Sequence, residues 1–161
     1  MSIHSADNPS GPGRLPVSST PLVGRESQVA QVLEILNWPD VSLLTLTGTG
    51  GVGKTRLALE VARRLESQFV DGVVFVPLSL LAEASLVLPT IAKALGLRES
   101  DRPTVQVVQE FLASRQMLVV LDNFEHLLEA ADIVSDVLHA SHDVTFLVTS
   151  TSASTRGDGR A

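Results

Sequence analysis

The feature that most constrains the fold of this chain is a glycine-rich loop between an apolar stretch and an amphipathic stretch. Residues 48–55 read GTGGVGKT and match the pattern G-x-x-x-x-G-K-[ST] at every defined position. The apolar residues 41–47 predict a buried strand before the loop, and residues 53–68 predict an amphipathic helix after it. Glycines in this context let successive N–H groups surround an anion at the N-terminus of the helix. The sequence therefore predicts a phosphate-binding loop.

Three side chains are expected to complete this site. Lys54 supplies a positive charge for the β- and γ-phosphates, and the Thr55 hydroxyl is placed to bind Mg²⁺ beside them. Such an ion needs a carboxylate from a neighbouring strand, and Asp122 directly follows an apolar run. Asp122 would then emerge at the carboxyl edge of the sheet, where open α/β sheets bind ligands. The alternative interpretation is that Asp122 caps the helix that follows it.

Four further positions surround this predicted site. Asn123 has no capacity to act as a base, whereas Glu125 is able either to orient a water or to serve as a first-turn helix carboxylate. Thr149 and Ser150 close the last predicted strand at the same edge of the sheet. Their hydroxyls either sense the γ-phosphate or are ordinary polar groups at a strand end.

Apolar runs of strand length alternate with helical stretches along the chain. The other predicted strands are residues 72–78, 116–123 and 143–150, and the other predicted helices are residues 26–36, 85–95, 104–114 and 124–140. Unbroken apolar strands that alternate with helices indicate an α/β fold with a parallel sheet covered on both faces.

Three segments are predicted. Residues 1–20, rich in Ser, Pro and Gly, predict a disordered tail. Residues 21–150 form the domain, and the small, polar residues 151–161 predict an unstructured C-terminal tail.

Composition excludes several classes of function. The chain has no cysteine, which rules out disulfides, thiolate catalysis and Cys-based zinc sites. Its net charge of -6 counts against direct nucleic acid binding by this segment, because such binding neutralises phosphates with Lys and Arg. Without a long apolar window or a signal-peptide pattern, the expected location is the cytoplasm, with no membrane contact.

Five stretches together resemble a known family. PLVGRESQVAQVLEIL, LLTLTGTGGVGKTRLALEVA, VVFVPLS, LVVLDNFEHLLEAA and FLVTS are similar to the nucleotide-binding domain of STAND-class ATPases. The resemblance is strongest to the NB-ARC-like module of bacterial LuxR-type and SARP-type transcriptional regulators, and it covers residues 15–150. It implies a P-loop NTPase three-layer sandwich with a parallel sheet that binds ADP or ATP with Mg²⁺.

The resemblance also implies roles for individual residues. Val23, Gly24 and Arg25 match the hhGR motif that lies against adenine and ribose, and Asp122 matches the Walker B aspartate. The expected catalytic residues are Lys54, Asp122 and Glu125, and the expected Mg²⁺ ligands are Thr55 and Asp122. The full expected nucleotide-binding set is Val23, Gly24, Arg25, Gly48, Thr49, Gly50, Gly51, Val52, Gly53, Lys54, Thr55, Arg56, Thr149 and Ser150.

The sequence departs from the family pattern at two places. The family's fourth strand ends in TSR, whereas Thr151 stands at the arginine position here. The fifth strand, the helical lid and the output domains of full-length relatives are missing, which suggests a truncated or frameshifted copy. The leading hypothesis is an ADP/ATP-binding module of a regulator with slow or absent hydrolysis, with self-association or output domains as partners in relatives. The alternatives are an active P-loop ATPase or kinase, and an inert fragment.

Overall fold

Helices and strands alternate through the computed structural model, which describes residues 13–17, 21–48, 53–124 and 129–151. In chain order the elements are α1 (Glu26–Leu36), β1 (Leu43–Gly48), α2 (Lys54–Leu65), β2 (Val73–Pro77), α3 (Val87–Ala94), α4 (Thr104–Ala113), β3 (Gln116–Asp122), α5 (Ala131–His139) and β4 (Asp143–Thr151). A short 3-10 turn at Glu66–Gln68 follows α2, and another at Ala84–Leu86 precedes α3.

The four strands form one parallel sheet in the order β1-β4-β3-β2. β3 lies inside the sheet and is buried at every position after Gln116, which explains why its sequence is an unbroken apolar run. Gly48 lies opposite Thr151, and Pro77 lies opposite Asp122, so the carboxyl ends of the strands share one edge. The predicted α/β fold with a parallel sheet is confirmed.

Helices cover both faces of the sheet and make three layers. α1 and α2 pack on one face, together with Leu118 and Val120 of β3. α3, α4 and α5 pack on the other face, together with Val119 and Leu121. Alternate residues of the same strand thus belong to two separate cores, as the period of two in a strand requires.

The helix α2 connects the glycine-rich loop to the first of these cores. Its apolar face is buried, and Val61 and Ala62 have no exposed surface. Arg63 and Arg64 in the last turn complement the negative end of the helix dipole, and Arg64 pairs with Glu60 at 2.9 Å. Packing and charge therefore hold the helix whose N-terminus faces the carboxyl edge of the sheet.

The connection after β3 differs from the helix predicted for residues 124–140. Asn123 adopts a left-handed conformation with φ of 63°, and the Phe124 N–H donates to Thr149 O at 3.0 Å. At these two residues the chain is bonded to β4 and is not helical. Phe124 is buried, α5 begins at Ala131, and residues 125–128 lie outside the described part of the chain.

Residues 13–17 pack against the domain, although they fall within the predicted disordered tail. The Phe75 N–H on the outer edge of β2 donates to Gly13 O at 2.7 Å, and Arg63 donates to Pro16 O. Leu15 packs against the core beneath α1 and α2. The prediction of disorder is therefore wrong for this segment, because strand-edge and arginine donors bond the carbonyls of Gly13 and Pro16 and Leu15 packs against the core. Residues 1–12 and 18–20 lie outside the described residues.

The C-terminal end of the last strand lies one residue beyond the predicted end of the domain. β4 continues through Thr151, and residues 152–161 are not among those described.

Among the helices of the described ranges, none has the length and the apolar character that a membrane span requires.

A core substitution in β3 tests the burial of the sheet face that α1 and α2 cover. Leu118 has no exposed surface, so Leu118→Ala is expected to lower the free energy of unfolding by about 2–5 kcal/mol. Leu80, which is 96% exposed, is the matched control, and Leu80→Ala should change it by about 0.5 kcal/mol or less. Urea unfolding followed by circular dichroism measures both. Equal effects of the two variants would contradict the packing described.

A substitution at Gly13 tests the docking of residues 13–17. A Cβ at this position would lie 2.1 Å from the Ala94 carbonyl oxygen, so Gly13→Ala should displace the segment. The Phe75 amide would then lose a hydrogen bond worth about 1 kcal/mol and exchange several-fold faster with deuterium. Gly24→Ala is the control, because Gly24 also has a positive φ (78°) but no described residue beyond its chain neighbours lies within 4 Å of a Cβ there. Unchanged exchange at Phe75 in Gly13→Ala would refute this docking.

Candidate functional site

The predicted site residues meet where the carboxyl edge of the sheet faces the N-terminus of α2. Gly48 ends β1, Asp122 ends β3, and Thr149 lies near the end of β4. Because β4 runs between β1 and β3, Thr149 lies between the glycine-rich loop and Asp122. This edge is where open α/β sheets bind their ligands.

A left-handed glycine, and no capping side chain of the described residues, precedes α2. Gly53 precedes the helix with φ of 80°, and none of the described side chains caps the helix there. A Cβ on Gly53 would lie 3.4 Å from Nη2 of Arg25, so this guanidinium lies against the bare backbone. Helix N–H groups and a guanidinium thus both give this corner a positive potential.

Lys54 links the two ends of the loop. Its Nζ donates to Gly48 O at 3.0 Å, which places the ammonium group between the end of β1 and the start of α2. Residues 49–52, which include four of the predicted nucleotide-binding residues, lie outside the described part of the chain. The contact between Lys54 and Gly48 therefore joins the two described residues that flank the loop.

The Asp122 carboxylate joins α2, β3 and β4. The hydroxyl of Thr55 donates to Oδ1 of Asp122 at 2.7 Å, and the hydroxyl of Thr149 donates to the same oxygen at 2.7 Å. Asp122 is 6% exposed and Thr149 has no exposed surface. The two residues predicted to bind Mg²⁺, 67 positions apart in the chain, are thus in direct contact.

The remaining predicted residues differ in their exposure and in their hydrogen-bond partners. Val23 is 78% exposed, and Gly24 next to it has φ of 78°. Arg56 donates to Pro21 O at 3.1 Å, so its guanidinium contacts the segment before α1. Ser150 is half-buried, and its hydroxyl donates to Thr151 O at 3.3 Å. Glu125 is outside the described residues.

Sequence reasoning missed two contacts in this site. It did not anticipate that Thr149 bonds to Asp122, or that Arg25 lies against Gly53. The first required the strand order, since residues 122 and 149 become neighbours only when β4 pairs with β3. The motif VGR could have indicated the second contact, but the family resemblance assigned this motif to adenine and ribose and not to the glycine-rich loop.

The donor set fits magnesium and phosphate chemistry. Hydroxyl and carboxylate oxygens are the hard ligands that Mg²⁺ prefers, and Thr55 and Asp122 supply one of each in contact. The helix N-terminus, Lys54 and Arg25 supply the N–H groups and positive charge that suit an anion.

A family comparison identifies the class of protein that carries this site. The family model for the AAA domain matches residues 40–154, which is most of the chain, and the chain belongs to that family. Its parallel sheet with helices on both faces is the P-loop NTPase fold.

Individual relatives extend this result. A Mycobacterium tuberculosis protein that is named as an HTH-type transcriptional regulator is 46% identical over 110 residues. These residues cover 67% of this chain and 12% of that protein. The regulatory protein AfsR of Streptomyces coelicolor is 32% identical over 129 residues, which cover 70% of this chain and 13% of AfsR. The chain therefore spans about an eighth of the length of these relatives.

A solved structure supports the fold alone. Cdc6p from Pyrobaculum aerophilum aligns with a TM-score of 0.62 at 21% identity, covering 88% of this chain and 41% of that one.

Proposed function

We propose that this chain is an ADP- and ATP-binding module of a STAND-type signalling ATPase within a transcriptional regulator. The observation that carries the proposal is the 2.7 Å hydrogen bond from Thr55 to Asp122, which joins the end of the loop motif to the strand-end carboxylate. A glycine-rich turn with an incidental lysine would not need this pairing. A site for a magnesium-bound phosphate does need it.

Each part of the site has a role toward such a nucleotide. The N–H groups at the start of α2 and the Lys54 ammonium would bind the phosphates, while residues 23–25 would lie against the adenosine. Thr55 and Asp122 would hold the magnesium ion, which neutralises phosphate charge when bound. Arg25 is expected to contribute at the phosphate end as well, because its guanidinium lies against Gly53.

The finer assignment to the STAND class rests on motifs around the loop. VGRE before α1 and LDNFEHL from the end of β3 resemble the NB-ARC-like module, and relatives named as regulators contain segments similar to this chain. Because the matched segments make up only about an eighth of these relatives, the remainder of each relative is long enough to contain output domains. We expect the module to act there in the cytoplasm, with self-association or an output domain as its partner.

Slow or absent hydrolysis is expected from the residue after Asp122. Asn123 carries an amide, which cannot accept a proton from water as a carboxylate does. Its backbone is fixed by φ of 63° and by the N–H bond to the Thr149 hydroxyl at 3.0 Å. The module is therefore better suited to holding a nucleotide than to hydrolysing it.

Calorimetric titration with ADP and with Mg-ATP tests the proposal. The wild-type chain should bind both, and Lys54→Ala should weaken binding by roughly 10- to 100-fold, since a hydrogen bond to a charged group contributes about 1.5–3 kcal/mol. The matched control is Lys93→Ala, because Lys93 is exposed in the last turn of α3 and should leave affinity unchanged.

The same preparation separates the competing functions. Phosphate release from Mg-ATP should be negligible for the proposed module. Rapid release that Lys54→Ala abolishes would favour an active ATPase instead. A folded wild-type chain that binds neither nucleotide would refute the proposal and leave the inert fragment.

A glycine pair tests whether the bare backbone at the start of α2 is used for binding. Gly53 and Gly96 both have positive φ (80° and 78°), so alanine at either position should cost roughly 1–2 kcal/mol of stability. Gly53→Ala should also weaken ADP binding several-fold, because its Cβ, in ordinary contact with Arg25 at 3.4 Å, would cover the backbone proposed to meet the phosphates. The Cβ of Gly96→Ala would meet no part of the described chain within 4 Å other than its sequence neighbours, so this variant should bind normally. Titration of both variants measures this, and equal affinities would exclude a role for the Gly53 backbone.

A further inference from the structure

Besides its place in the sheet ladder, Thr149 takes part in three hydrogen bonds with the last residue of β3 and the two residues that follow it. Its hydroxyl donates to Oδ1 of Asp122 at 2.7 Å and accepts from the Asn123 N–H at 3.0 Å. Its backbone oxygen accepts from the Phe124 N–H at 3.0 Å. The residue is fully buried, so its hydroxyl has no surface open to solvent.

These contacts leave the Thr149 hydroxyl without a proton for a phosphate. A hydroxyl has one proton to donate, and here that proton goes to Asp122. A direct bond to the γ-phosphate would require it to leave the carboxylate in a buried setting. The sequence-based idea that Thr149 senses the phosphate is therefore replaced by a role that acts through Asp122.

We propose that Thr149 is a positioning residue that fixes which oxygen of Asp122 faces the magnesium ion. This inference rests on the proposed function for its ligand. Thr55 and Thr149 both donate to Oδ1, so the two lone pairs of that oxygen are used. Within the described residues, both side-chain hydrogen bonds to Asp122 end on Oδ1. Oδ2 is then the oxygen that remains for the ion or for a water bound to it.

The same arrangement orients Thr55. Because the Thr55 proton points to Oδ1, the lone pairs of its oxygen are left for a cation. Thr149 thus holds one side of the carboxylate while Thr55 holds the other, and their common acceptor aligns both magnesium ligands. Residues that orient metal ligands in this way typically change metal affinity by 10- to 100-fold when removed.

Three variants at this position separate positioning from packing. Thr149→Val keeps the shape of the side chain and removes the hydroxyl, whereas Thr149→Ser keeps the hydroxyl and removes a methyl group. Thr149→Ala is a second hydroxyl-free variant in case Thr149→Val fails to fold. Circular dichroism and urea unfolding first establish which variants are folded.

The measured quantity is the gain in ADP affinity that magnesium provides, taken as the ratio of Kd in EDTA to Kd in excess Mg²⁺. Titration of Mn²⁺ into the ADP complex, followed by electron paramagnetic resonance, reports the metal directly. Thr149→Val should reduce the magnesium-dependent gain by about 10-fold and weaken Mn²⁺ binding similarly, while ADP affinity in EDTA stays unchanged. Thr149→Ser should restore both metal-dependent values.

The outcomes are distinct for the two proposals. If the wild-type chain binds ADP and folded Thr149→Val keeps the full magnesium-dependent gain, the positioning role is wrong and the proposed function stands. An equal loss of affinity in EDTA and in Mg²⁺ would mean a structural role and would also overturn the positioning role. A wild-type chain that binds no ADP in either buffer would overturn both proposals.

Discussion

The hydrogen bond between Thr55 and Asp122 is the contact on which the arrangement of the site depends. It connects the first turn of α2 to the last residue of β3, two elements that are not neighbours in the chain. A parallel sheet makes the contact available, because all its strands end at one edge. The two cores on either face of the sheet then hold the helix and the strand at a fixed separation. Catalytic or binding groups on such rigid elements are placed more precisely than groups on loops.

The sequence predicted the fold well because the strands inside the sheet are buried on both faces. The apolar runs MLVVL in β3 and FLV in β4 are buried for that reason, and the helices that cover the sheet have one apolar face. The loop motif and Asp122 were also identified from their order in the chain. The strand order, by contrast, cannot be obtained from local patterns, and it is the strand order that brings Thr149 next to Asp122.

Two other departures have causes that composition does not reveal. Residues 13–17 looked disordered because they bury little apolar surface, but donors on β2 and α2 bond the Gly13 and Pro16 carbonyls. The predicted helix start at Phe124 was wrong because Asn123 adopts the left-handed region, which asparagine tolerates better than most residues. The first departure comes from hydrogen bonds between segments distant in sequence, and the second comes from the backbone conformation of one residue.

The contact between Lys54 and Gly48 has a consequence for the energetics of binding. The ammonium already donates to a backbone oxygen at 3.0 Å, so it lies beside the loop before an anion arrives. An ammonium group has three protons to donate, so it can keep this contact and still bind a phosphate. Its long side chain is already ordered there, and little rotamer entropy remains to be lost when a ligand binds. A contact within the protein thus places the charge of the lysine in advance.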